Sequence, residues 1–219
     1  MALNENIVRE QDARISKMVH TPTFLVMAGA LPGLFAATSL ENGVAIGAVT
    51  AAAVLVMALV APALRAFTGT WSRVPVMLMV SVTVATLLGY AVRVANPVVF
   101  ETLGIYLPLV AVNAIVVAWI AGDGLVVAPA KTPLATAAFA AVCVFATLAL
   151  VGFINGMFTT GQVFGLTMDE LAASPIAAFG KPTGSLLVLA LVAVFVQSVE
   201  QACAKGAAAD GADAEGGER

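Results

Sequence analysis

The 219-residue chain is 61% hydrophobic and only 11% charged, with a mean hydropathy of +1.01 and a formal net charge of −3. A soluble domain is about 45–50% apolar and about 25% charged, so lipid is the expected solvent for much of this surface. No basic run or aromatic–basic interleaving points to nucleic acid, and two cysteines, Cys143 and Cys203, build neither a disulfide framework nor a four-cysteine metal site.

The N-terminal arm, residues 1–21, mixes Glu5, Arg9, Glu10, Asp12, Arg14, Lys17 and His20 and reads as a cytoplasmic surface segment. Its charged leader is too long and too mixed for a signal peptide. A bilayer core of about 30 Å needs roughly 20 apolar residues in a helix, and six stretches qualify. They run from about Thr23 to Leu40, Gly43 to Leu64, just after Arg73 to Val92, just after Glu101 to Ala121, Leu134 to Ile154 and Gly184 to Val199. The expected fold is therefore an all-α integral membrane protein with a six-helix domain over residues 22–204. The tail, 205–219, is rich in Ala, Gly, Asp and Glu and is expected to be disordered.

Positive charge sets the orientation. With the N-terminus inside, Arg9, Arg14, Lys17, Arg65, Arg73, Lys131, Lys205 and Arg219 all fall on the cytoplasmic side, and only Arg93 and Lys181 fall outside. Both termini are thus expected in the cytoplasm. One external connection, Asn155 to Thr183, is long, and long loops tend to be functional.

The first and fourth stretches resemble each other. One carries Gly29, Pro32 and Gly33 within Ala30-Leu31-Pro32-Gly33-Leu34; the other carries Gly104, Pro108 and Asn113 within Tyr106-Leu107-Pro108-Leu109-Val110-Ala111-Val112-Asn113. Each opens a set of three helices, which predicts two inverted repeats, about 22–95 and 98–204. A proline within a helix removes one backbone hydrogen bond, and in lipid such breaks are tolerated where they face protein or a cavity. The first and fourth helices are therefore expected to break near mid-membrane, unless Pro32 and Pro108 are simple kinks. Asn113, the one strongly polar side chain deep in a span, is expected to bond a freed carbonyl or a partner helix, or to line a path. Arg93 and Glu101 flank the Asn96-Pro97 turn and either pair or stay solvated. Runs of small residues such as Ala45-Ile46-Gly47-Ala48 favour close helix packing in lipid.

Particular blocks carry a family resemblance. Arg73-Val74-Pro75-Val76 and Leu103-Gly104-Ile105-Tyr106-Leu107-Pro108-Leu109 resemble the E-type member of the Rnf electron-transport complex, at matching spacing. Gly29-Ala30-Leu31-Pro32 looks like that family's Gly-Leu-Cys-Pro, and Gly161-Gln162-Val163-Phe164-Gly165 like its Gly-(Ser/Thr)-Leu-Phe-Gly element. The similarity runs from about Asn6 to Val199; the D-type member of the sodium-pumping quinone reductase is a cousin. The resemblance implies a bacterial cell-membrane complex that couples electron transfer between ferredoxin and NAD to ion translocation. It implies an A-type six-helix partner, flavins in other subunits, and an iron–sulfur cluster between the A-type and E-type chains held by two cysteines from each.

This chain departs at those ligand positions, which hold Leu31 and Ala114. Cys143, within the fifth span, reads as a packing residue, and Cys203 as an interfacial thiol. No nucleotide loop, nucleophile constellation or carboxylate pair is present, so no catalytic, cofactor-binding or metal residue is assigned and the chain is not expected to catalyse alone. The leading function is a scaffold or ion-path subunit of an Rnf-like complex; the alternatives are a stand-alone inverted-repeat transporter of ions or small molecules and a non-catalytic assembly factor.

Overall fold

A computed structural model describes residues 22–69, 72–113, 115–116, 133–160, 162–163, 166–167, 178–179 and 181–216. These form helices α1 (Pro22–Leu34), α2 (Leu40–Phe67), α3 (Arg73–Ala95), α4 (Pro97–Leu103) and α5 (Tyr106–Leu109), with a 3₁₀ turn over Val110–Val112. Two long helices follow, α6 (Pro133–Thr160) and α7 (Pro182–Gly216), separated by a two-residue antiparallel ladder pairing Gln162 with Thr167 and Val163 with Leu166. Among the described residues three helical stretches are long and apolar enough to cross a membrane: Leu40–Leu64, Val74–Ala95 and Ala137–Thr159. At about 1.5 Å per residue, the 25 residues of the first reach about 37 Å, more than a hydrocarbon core.

The first expected span ends earlier than composition suggests. Helix α1 contains Pro32 and stops at Leu34 rather than Leu40. The Gly33 carbonyl there accepts from the N–H groups of both Ala36 and Ala37, a tightened last turn. Ser39 is extended and caps α2, its hydroxyl accepting the Asn42 N–H at 3.3 Å. Asn96 ends α3 and starts α4: its N–H donates to Val92 O at 2.8 Å and its side chain accepts from Val99 N–H at 3.3 Å. Pro97, at the first helical position, has no N–H to leave unpaired.

The expected fourth span, Glu101 to Ala121, is not one helix over its described part. Gly104, at φ +44°, terminates α4, and the chain breaks again at Asn113 before Ile115 and Val116 return to helix. Pro108 causes neither break. It is the third residue of α5, where backbone N–H groups have no intrahelical partner to lose.

The core is built on α2 packed against α6. Gly43 abuts Leu148 and Gly152, Gly47 abuts Phe145 and Leu148, and Gly156 abuts Leu40, so the two helices run antiparallel. A Cβ on Gly43 would come within 2.6 Å of the Leu148 carbonyl oxygen, which is backbone and cannot step aside. Two small-xxx-small pairs, Gly43/Gly47 and Gly152/Gly156, thereby bring the helices into backbone contact. Ile46, Val54 and Met57 on α2 and Val144, Leu148 and Val151 on α6 are fully buried, and Leu34 of α1 and Val188 of α7 join the same core.

Two further expectations change. Helix α6 continues past Ile154 to Thr160, placing Asn155 inside a helix rather than at the start of a loop. Helix α7 continues through Gly216, across most of the tail expected to be disordered. The alanines of that tail, the strongest helix formers, are consistent with this. The Phe158 and Phe179 rings stack at 4.8 Å and 25°, holding the chain before α7 against α6. Residues 168–177 of the 155–183 connection, with Asp169 and Glu170, lie outside the described residues, as do the arm 1–21 and the segment 117–132 with Trp119 and Lys131.

Candidate functional site

The two interrupted segments meet at a buried amide. Asn113, 0% exposed, donates from Nδ2 to the Gly29 main-chain oxygen at 2.7 Å, and its Oδ1 accepts the Ile115 N–H at 3.1 Å. The second bond explains the break: the Asn113 side chain takes an N–H that a continuous helix would have used, and the residue adopts ψ 140°. Gly29 leaves the room in which Ile115 and Val144 pack beside this bond. A Cβ there would collide with Ile115 Cδ1 and Val144 Cγ2. From the other side, Ser81 of α3 donates its hydroxyl to Ala111 O at 2.8 Å, pinning the 3₁₀ turn.

The expected site residues therefore separate into two groups. Gly29 and Asn113 are in direct contact, with Pro32 one turn along α1. Gly104 and Pro108 lie elsewhere, lining a cavity of about 200 Å³ with Gly89, Arg93 and Phe100. Arg93 is not paired with Glu101; its guanidinium carbon sits 5.7 Å from the Phe100 ring centroid, a cation–π contact. Burying a neutral hydrogen-bonded amide is far less unfavourable than burying a charge, so the junction holds an uncharged, fully paired polar pair.

Leu31, two residues beyond Gly29, is 46% exposed, and Ala114 lies outside the described residues. Leucine offers no lone pair to iron. Cys143, half-buried on α6, is the one cysteine whose side chain is described, and no group of three His, Cys, Asp or Glu side chains gathers among the described residues. Among the described side chains, one thiol and an apolar leucine do not make the set of thiolates that an iron–sulfur cluster takes.

Composition alone does not mark a second buried polar cluster. Asn155, 0% exposed, donates from Nδ2 to Ala37 O at 2.9 Å and to Ser185 Oγ at 2.8 Å, joining α6 to the α1–α2 connection and to α7. The available signal is an asparagine flanked by Phe153, Ile154, Met157 and Phe158, an apolar setting unlike a loop. Beside it, a groove of about 850 Å³ runs between the start of α2 and the end of α3, walled by Ser39, Glu41, Ala48, Leu88, Asn96 and Gly156.

Comparison with known proteins gives a consistent answer. Over 175 residues the chain is 27% identical to the E-type chain of the Na⁺-translocating ferredoxin:NAD⁺ oxidoreductase complex of Acetobacterium woodii, covering 78% of this chain and 87% of that protein. It is 27% identical over 194 residues to the E-type chain of an ion-translocating oxidoreductase complex of Methanosarcina acetivorans, covering 84% and 89%. Against the E-type chain of the proton-translocating ferredoxin:NAD⁺ oxidoreductase complex of Clostridium ljungdahlii it is 24% identical over 192 residues, covering 84% and 88%. The family model for the Rnf-Nqr subunit, a membrane protein, matches residues 15–194, and the chain belongs to that family of multi-pass membrane subunits.

Proposed function

We propose that this chain is an E-type membrane subunit of an Rnf-like complex that couples electron transfer between ferredoxin and NAD to ion movement across a bacterial cell membrane. The observation that carries the reading is near full-length similarity to three E-type chains of such complexes, together with the family match over residues 15–194. The ions those relatives are named for differ, sodium in one and protons in another, so the coupling ion does not transfer with the similarity.

In this reading the chain crosses the membrane six times, in two inverted three-helix halves (about 22–95 and 98–204), with both termini in the cytoplasm. Three membrane-length helices and the apolar Thr183–Val199 support that count. So do the matched lengths of α2 and α6, each 28 residues. The half-segments α1 and α4–α5 meet near mid-bilayer, where the Asn113–Gly29 bond closes the junction with neutral groups. The chain acts as scaffold or ion path beside an A-type partner and contributes no cluster ligand. The iron–sulfur cluster and the flavins belong to partner subunits.

Affinity purification of the tagged chain from native membranes in mild detergent, with mass spectrometry of the co-purifying proteins, tests this. Recovery of A-, B-, C-, D- and G-type Rnf subunits in fixed proportion is the expected result. Recovery of the chain alone, or only with itself, overturns it and favours a stand-alone transporter of ions or small molecules. Leucine in place of a cluster cysteine at position 31 is the observation on that side.

A further inference from the structure

The Asn155 cluster holds acceptor oxygens that the fold itself does not satisfy. Asn155 Oδ1 and Thr159 Oγ1 are both buried without a hydrogen-bond partner among the described residues. The amide orientation is not arbitrary: the Ala37 carbonyl at 2.9 Å can only accept, so Nδ2 must face it and Oδ1 must face away. Asn155 and Thr159 are four apart on α6 and share one helix face. Ser185 Oγ, 1% exposed as a residue, is bonded to Asn155 Nδ2 and closes the cluster from α7. Buried polar groups without partners are rare in folded proteins, and each calls for a ligand, an ion or water.

We propose that Asn155 Oδ1, Thr159 Oγ1 and Ser185 Oγ form a binding site for a small hard monovalent cation, sodium being the probe. All three donors are neutral oxygens, which suit a hard ion and a single charge better than a divalent one. Helix α6 ends at Thr160, so the negative end of its dipole lies one turn from Asn155 and beside Thr159. Helix ends and unwound backbone are where membrane proteins place such ions, and the unwound stretch from Phe35 to Ser39 contributes Ala37 here. The groove of about 850 Å³ provides an approach: Gly156, next to Asn155, and Ser39 form part of its wall, and Glu41 is among the residues that line it. The inference concerns this chain's own side chains and holds whether or not the chain works within an Rnf-like complex.

The test is the melting temperature of the purified full chain in detergent, titrated with NaCl against choline chloride at constant ionic strength, alongside direct ²²Na⁺ binding. A ligand that binds only the folded state raises the melting temperature in proportion to its excess over Kd. The expected result is sodium-specific stabilisation of about 3 °C or more, with bound ²²Na⁺. Both effects are lost in Thr159→Val, which keeps the side-chain shape, and in Asn155→Leu. Thr147→Val removes a buried hydroxyl on the same helix that already donates to Cys143 O at 2.7 Å, so it keeps the sodium response. A wild-type chain without sodium-specific binding, or a response retained in a folded Thr159→Val chain, overturns the site and leaves ordered water as the partner of these oxygens.

Discussion

The Asn113 side-chain amide donates to the Gly29 carbonyl at 2.7 Å, across 84 residues of sequence, while its own oxygen receives the Ile115 N–H. Both ends of one buried amide are thus committed to backbone groups that have no water to turn to. Asn113→Leu, of similar volume, strands the Ile115 N–H and removes the Gly29 partner; each stranded group costs about 1–3 kcal/mol. Ser81→Ala removes a single hydroxyl from a carbonyl in the adjoining turn, at about 1 kcal/mol. Thermal melting in detergent should therefore rank wild type above Ser81→Ala and Ser81→Ala above Asn113→Leu, the last falling by about 5 °C or more. Equal melting of Asn113→Leu and wild type would show that the bond holds nothing together.

Close backbone packing of α2 on α6 gives a second ranking. A Cβ on Gly43 meets the Leu148 oxygen and the Gly152 Cα at 2.6 and 2.9 Å, and these are main-chain atoms. On Gly47 the nearest atoms lie at 3.3 Å, one of them in the Phe145 ring, which can rotate. Gly43→Ala should separate the helices at a cost of about 1–3 kcal/mol, and Gly47→Ala should cost clearly less. The same melting assay, or loss of folded protein on SDS titration, distinguishes the two.

These two pairs also show which features a sequence carries on its face and which it hides. The apolar runs locate α2, α3 and α6 because span length follows from bilayer thickness alone, and Gly29, Pro32 and Asn113 stand out as polar or helix-breaking residues within such runs. The positions of the breaks are not legible in the same way. Pro108 looks like a kink in a string of letters, but whether it interrupts a helix depends on where that helix starts: Gly104 ends α4, and α5 starts at Tyr106, two residues before Pro108. Asn155 looks like the edge of a loop because its burial comes from Ala37 and Ser185, residues far away in sequence. The Arg93–Phe100 contact is hidden by the nearer and more obvious charge of Glu101.

Gly104 makes a prediction about backbone conformation rather than packing. Its φ of +44° with ψ −116° lies outside the regions open to residues with a Cβ. A Cβ would meet nothing closer than 3.5 Å, so strain and not collision sets the outcome. Gly104→Ala should destabilise by about 1–3 kcal/mol or shift the α4–α5 turn. Gly89→Ala, in a regular helix with neighbours no nearer than 3.9 Å, should be neutral or slightly stabilising. Melting temperatures of the two variants, measured side by side, check the contrast.

The last prediction concerns the iron–sulfur cluster that the family resemblance implies. Leu31 and Ala114 stand where the resemblance places cysteines, and the remaining cysteines are Cys143, mid-way along α6, and Cys203, twenty-one residues into α7. If this chain supplies no ligand, replacing both thiols cannot remove iron. In the complex purified from native membranes, Cys143→Ala with Cys203→Ala should leave iron per complex and the visible absorbance of any cluster unchanged. Cys143→Ala alone should cost about 1 kcal/mol or less, because a half-buried thiol gives up little apolar contact on truncation to alanine. Loss of iron from a complex that still assembles with all its subunits would make one of these thiols a ligand, and would place the cluster on α6 or α7 instead of at the Gly29–Asn113 junction.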